Sequence, residues 1–136
     1  MISALLGGAA PKEAYLRAIR MTKAFYEQTP YSGEGAQFTR IFSGELSSLP
    51  ESEIPSSGYV IDTLEASIWC LCNTDSYEEA VLRAVNLGED TDTTATVTGG
   101  LAGVGYGPDA IPSKWVDQLA RRTDLEVLFD HFVAKV

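Results

Sequence analysis

From Thr91 to Gly105 no side chain is larger than leucine. Small side chains cannot bridge a wide gap, so this segment has to lie close against its neighbours. Local rules leave its conformation open. Thr93-Thr-Ala-Thr-Val-Thr98 has strand propensity. Yet Ala95, Thr98 and Ala102, with Gly99 and Gly103, recur at helical spacing. Every other patterned stretch of the chain reads as helix, so a close-packed helix is predicted here too. Gly105-Tyr-Gly107-Pro108 should end it.

Pro11 suits the first turn of a helix, and Ala14, Tyr15, Ala18, Ile19, Thr22, Phe25 and Tyr26 then mark one apolar face. That helix should stop near Gln28, before Thr29-Pro30. Met1 to Ala10 is apolar but lacks the basic start of a signal peptide, and it reads as part of the fold. Phe38, Ile41, Phe42 and Leu46 suggest a short helix within Gln37–Leu49. Ser43 to Gly58, rich in Ser, Pro and Glu, reads as a loosely ordered connector.

Two capping boxes are predicted. Asp62-Thr-Leu-Glu65 should open a buried helix carrying Leu64, Ile68, Trp69, Leu71 and Cys72, which Asn73-Thr-Asp-Ser76 breaks. Ser76-Tyr-Glu-Glu79 should open a second helix, with Ala80, Val81, Ala84, Val85 and Leu87 inside and Gly88 as its left-handed stop. A last helix is expected from Lys114, with Trp115, Leu119, Leu125, Leu128, Phe129 and Phe132 apolar and Arg121-Arg-Thr-Asp124 as an interruption. With no repeat and no second pattern, the 136 residues read as a single all-α domain.

Charge narrows the ligands. Ten Lys and Arg against nineteen Asp and Glu leave a net charge of −9, which argues against nonspecific grip on nucleic-acid phosphates and suits cations. No run approaches the roughly 18 apolar residues of a membrane-spanning helix. Cys70 and Cys72 are the only cysteines. Two residues apart on a helix, with no second pair, they read as small buried side chains in a reducing, cytoplasmic setting. His131 reads as a surface helix residue.

The chemistry lies in Gly88-Glu-Asp90-Thr-Asp92-Thr93-Thr94-Ala95. Two carboxylates at i, i+2 with hydroxyls beside them follow a helix stop and precede a new element. Such hard oxygen donors suit Mg²⁺, Mn²⁺ or Ca²⁺ rather than zinc. An EF-hand is excluded, because its third acidic position, its Gly and its distal Glu are missing. The plain alternative is capping: Asp and Thr are preferred N-caps, and Asp in a first turn complements the helix dipole.

Leu87-Gly-Glu-Asp90-Thr-Asp92-Thr-Thr-Ala95, then Gly99-Gly-Leu-Ala-Gly103-Val-Gly-Tyr106-Gly107, then Ile111-Pro112 and Trp115, resembles the C-terminal signature of the ADP-ribosylglycohydrolase family. Ser57-Gly58-Tyr59-Val60-Ile-Asp62-Thr-Leu-Glu65-Ala with Trp69-Cys70, and Ser76-Tyr-Glu-Glu-Ala80-Val with Ala84-Val-Asn86, resemble it in the same order. The likeness runs from about Ser57 to Trp115, and the first 50 residues share it only loosely.

The resemblance implies an all-helical, multi-helix orthogonal bundle, the C-terminal part of that fold. It implies two Mg²⁺ (or Mn²⁺) ions and hydrolysis of the bond joining ADP-ribose to a modified acceptor, on a protein or a small molecule. By motif position, Asp90, Asp92 and Thr93 would be metal ligands, with Asp90 and Asp92 serving catalysis and Asp92 bridging. Tyr59 would help hold the ADP-ribose. Gly99, Gly100 and Gly103 would let the motif helix pack tightly. The family's N-terminal half carries a Gly-Asp-Ala-x-Gly segment and a Thr-Asp-Asp metal motif. Gly7-Gly-Ala-Ala10 is not the first, and Asn73-Thr-Asp75-Ser76 has one Asp where the second has two. Half of the dinuclear site is therefore expected to be missing, with low activity for this chain alone and apolar surface left for self-association or a partner. The alternatives are a non-catalytic ADP-ribose-binding or structural member of the family, and a generic helical interaction domain.

Overall fold

A computed structural model describes residues 1–135. It is all-α, with no strand among the described residues. The α-helices are α1 (Ile2–Leu6), α2 (Pro11–Tyr26), α3 (Thr39–Phe42), α4 (Val60–Cys72), α5 (Tyr77–Asn86), α6 (Thr91–Tyr106), α7 (Ser113–Val116) and α8 (Arg122–Val133).

Helix α4 is the centre. Everything from Glu65 to Cys72 is buried, so the stripe read from the sequence widens to the full circumference. A helix buried all round must be covered on every side. Helices α5, α6 and α2 and the 3₁₀ turn Leu46–Ser48 pack against it. Its two thiols are buried and free, and burial pushes both Cys70 and Cys72 up to about 12.

The small-residue segment is a helix. Thr94, Thr98 and Ala102 form its buried row. The Ser67 hydroxyl of α4 donates to the Thr94 carbonyl at 3.3 Å, and the Thr98 hydroxyl donates to the same oxygen at 2.8 Å. Gly99 meets α5: a Cβ there would stand 3.2 Å from the Tyr77 hydroxyl and 3.6 Å from Val81. Tertiary packing therefore overrides the strand propensity of the threonines.

One predicted capping box forms and one does not. Ser76 accepts the Glu79 N–H at 3.2 Å, while Glu79 reaches back to the Asp75 N–H at 3.1 Å. The Asp62–Glu65 box is overturned, because α4 begins at Val60, two residues earlier. Both of its acids have other partners. Asp62 accepts from the Ser57 hydroxyl at 2.6 Å, and the buried Glu65 pairs with Arg40 Nε at 2.7 Å.

The connector is also more ordered than its composition suggests. It runs through 3₁₀ turns at Leu46–Ser48 and Glu51–Glu53, and it buries Leu46, Ile54 and Ser56. The Trp69 indole N–H donates to the Leu49 carbonyl at 2.9 Å. Just before it, the Tyr15 phenol donates to Ile41 at 2.6 Å, so buried aromatics from α2 and α4 staple this irregular chain to the core.

The C-terminal reading holds in outline. Trp115 stacks obliquely on Tyr77, and Lys114 pairs with Glu78 at 2.6 Å, which clamps α7 to α5. Arg121, with φ +58°, breaks the chain before α8. Leu128, Phe129 and Phe132 of α8 face solvent, as does His131.

Candidate functional site

The turn between α5 and α6 is built from two left-handed residues, Gly88 at φ +89° and Glu89 at φ +54°. Glycine adopts this region freely, while a glutamate there is strained. The turn delivers Asp90 to the N-cap of α6, with Asp92 and Thr93 in the first turn. The three predicted metal-ligand residues therefore stand together on one helix end.

That end is tied to the loop before α4. The buried Ser56 accepts the Asp90 N–H on its carbonyl at 3.1 Å and donates its hydroxyl to the Gly88 carbonyl at 3.1 Å. Two residues on, Gly58 comes so near that a Cβ would lie 3.1 Å from Asp90 Oδ2. The loop is tight in itself. The Ser57 hydroxyl accepts the Tyr59 N–H at 3.1 Å and donates to Asp62. Sequence positions 57–59 and 90–93 are thus one structural unit.

The Asp90 carboxyl is held below its ordinary range. The Thr93 hydroxyl is the main cause, and the Thr93 N–H adds to it. The carboxyl faces these groups without closing a full cap hydrogen bond. A half-buried, ionised Asp90 beside the exposed Asp92 and Thr93 hydroxyl is a hard oxygen donor set, matched in kind to Mg²⁺ or Mn²⁺. It fills only part of an octahedral shell. Among the described residues no three Asp, Glu, His or Cys side chains cluster as a complete metal site.

Tyr59 follows Gly58 as the N-cap of α4. Its ring is half-exposed, and its hydroxyl donates to Gln37 Oε1 at 2.9 Å. It borders an open cleft of about 540 Å³ that Gln37, Arg40, Glu53, Asp62, Glu65 and Glu89 also line. The cleft is acidic, with four carboxylates against the single cation Arg40, which Glu65 already pairs. Asp90 and Asp92 do not line it; Asp90 lies against Gly58, the residue before Tyr59.

Gln37 and Arg40 carried no sequence signal. Both come from the loosely patterned first third and reach the site through contacts 22 and 25 residues away. Glu65 did carry one, as an acid amid buried apolar residues, but its spacing from Asp62 mimicked a cap.

Residues 1–136 match the family model described as ADP-ribosylglycohydrolase. The chain is 49% identical over 82 residues to ADP-ribosylarginine hydrolase Tri1 of Serratia proteamaculans (strain 568), covering 60% of this chain and 22% of that protein. It is 42% identical over 80 residues to the protein of that name from Pseudomonas putida (strain GB-1), covering 59% and 22%. It is 38% identical over 72 residues to ADP-ribosyl-[dinitrogen reductase] glycohydrolase of Rhodospirillum rubrum, covering 53% and 24%. The aligned segments thus span less than a quarter of each of these relatives.

Proposed function

The chain belongs to the ADP-ribosylglycohydrolase family, and from that premise we propose that it forms the C-terminal part of a Mg²⁺-dependent hydrolase that cleaves ADP-ribose from a modified acceptor. The observation that carries this reading is the junction of the two loops. Asp90, Asp92 and Thr93 stand on one helix end, which Ser56 and Gly58 press against the rim that bears Tyr59.

In this reading Asp90, Asp92 and the Thr93 hydroxyl hold the metal. When bound, the metal would supply positive charge that helps orient the ribose hydroxyls and lowers the pKa of a water near the anomeric carbon. The strained Gly88–Glu89 turn fixes where the carboxylates point. Tyr59 meets the ADP-ribose. The acidic cleft favours a cationic acceptor, and two relatives are named for ADP-ribosylarginine. An arginine guanidinium on a modified protein is therefore the acceptor class proposed. The free, buried thiols accord with a reducing cytoplasm.

Three oxygen donors leave Mg²⁺ short of its octahedral shell, so the remaining ligands would come from outside these residues. The 136-residue chain should bind Mg²⁺ or Mn²⁺ weakly and turn over little substrate by itself. Calorimetry with Mn²⁺ tests this. Binding should be weak in the native chain and lost in Asp92→Ala, and unchanged binding in that variant would remove Asp92 from the ligand set. Brisk hydrolysis of ADP-ribosylarginine by this chain alone would show that the site is complete as it stands.

A second reading is a non-catalytic member of the family that binds ADP-ribose. The lack of a three-acid cluster among the described residues favours it. ADP-ribose affinity that is indifferent to Mn²⁺ and to Asp92→Ala would select this reading.

A further inference from the structure

Tyr59 is gripped from the side by the 3₁₀ turn Gly35–Phe38, and the grip has a defined polarity. Glu34 Oε2 accepts from Gln37 Nε2 at 2.9 Å. A carboxylate can only accept, so the amide nitrogen of Gln37 must face Glu34. The amide oxygen is then turned to Tyr59, and an amide oxygen also only accepts. The phenol must therefore spend its one proton on Gln37, at 2.9 Å. What remains toward the cleft is a phenol oxygen with lone pairs and no hydrogen.

From this chain of bonds we infer that Gln37 is a positioning residue that fixes Tyr59 as a hydrogen-bond acceptor for the bound ligand. The inference rests on the ADP-ribose reading above. A ribose hydroxyl, the adenine amino group or a guanidinium N–H can donate to such an oxygen. An ionised phosphate oxygen cannot, so Tyr59 faces a sugar, base or acceptor portion of the ligand rather than the pyrophosphate. All three residues are exposed, and exposed polar contacts add little to stability. The effect of the relay is orientation.

The experiment uses the 136-residue chain with ¹³Cζ-labelled tyrosine, Tyr59→Phe assigning the signal, and a titration with ADP-ribose. Gln37→Leu should shift the Tyr59 resonance in the free protein, weaken ADP-ribose roughly 3- to 10-fold, the scale of one hydrogen bond, and leave the urea midpoint unchanged. The double exchange Glu34→Gln/Gln37→Glu keeps a donor against an acceptor and an acceptor against the phenol, and should restore both signal and affinity. Native-like affinity in Gln37→Leu, or no restoration by the exchange, overturns the inference and leaves the ADP-ribose reading standing. No ADP-ribose binding by the native chain overturns this inference, which needs the ligand at Tyr59 within these residues, and leaves the proposed function to the Mn²⁺ titration of Asp92→Ala.

Discussion

Arg40→Ala should be among the most damaging single changes outside the apolar core. Glu65 sits in the central helix with its side chain 3% exposed, and Arg40 Nε at 2.7 Å is its ion-pair partner. Arg40 also donates to the Glu53 carbonyl at 2.8 Å, which fastens the connector over the carboxylate. Removing one partner of a buried pair costs about 3–5 kcal/mol, because the other charge stays desolvated. Arg40 itself is 46% exposed, so water screens the pair and reaches the carboxylate once the arginine is gone. The expected loss falls to about 2–3 kcal/mol. Urea unfolding followed by circular dichroism at pH 7 measures it, with a double-mutant cycle through Glu65→Gln. The neutral amide has no charge to strand, so Arg40→Ala should cost at least about 1 kcal/mol less in the Glu65→Gln background. A loss under about 0.5 kcal/mol, or strict additivity, would refute the claim that this pair compensates a buried charge.

The buried Thr94 hydroxyl has no hydrogen-bond partner among the described residues. Thr94→Val keeps its shape and should be neutral or stabilising by up to about 1–2 kcal/mol; a clear drop in urea midpoint would show that the hydroxyl is satisfied. Gly58→Ala places a Cβ 3.1 Å from Asp90 Oδ2 and should weaken Mn²⁺ binding about tenfold with little change in stability. Equal affinities would separate Gly58 from the site. Burial pushes Tyr15, Cys70 and Cys72 up to about 12. Below about pH 8.5 these groups are protonated in the folded and unfolded chain alike, and stability is complete. Between there and pH 12 only the unfolded chain releases their protons, so stability should fall by at most about 1.4 kcal/mol per pH unit per group. A urea midpoint that stays flat from pH 8 to 10.5 would contradict that burial.

Local chemistry was legible where it was self-contained. The Ser76 cap, the Gly88 stop and the break at Arg121 each depend on a few adjacent residues, and each formed. The small-residue row of α6 announced close packing, although only its neighbours made it a helix. Asp62 and Glu65 misled because a capping box is a spacing rule. It cannot know that Ser57 takes one acid and Arg40 the other. Within the site, Asp90, Asp92, Thr93 and Tyr59 were visible in motifs. That Ser56 joins their two loops was not, since a serine in a Ser-Pro-Glu stretch looks like solvent-facing connector. Gln37 was hidden for a related reason: one side-chain hydrogen bond to a residue 22 positions away leaves no periodic trace.

Helices α4, α5 and α6 follow one another in sequence and pack on one another in space. Contacts between consecutive elements close small loops and tend to form early in folding. The segment from Val60 to Tyr106 is therefore the expected nucleus, with α2 and the connector condensing on it afterwards. Substitutions at Thr98 or Ala84 should then slow refolding, whereas those at Tyr15 should chiefly speed unfolding, a division that chevron analysis can read. Because Asp90, Asp92 and Thr93 ride on the same segment, changes in the residues proposed to hold the metal would be felt in how fast the chain folds as well as in what it binds.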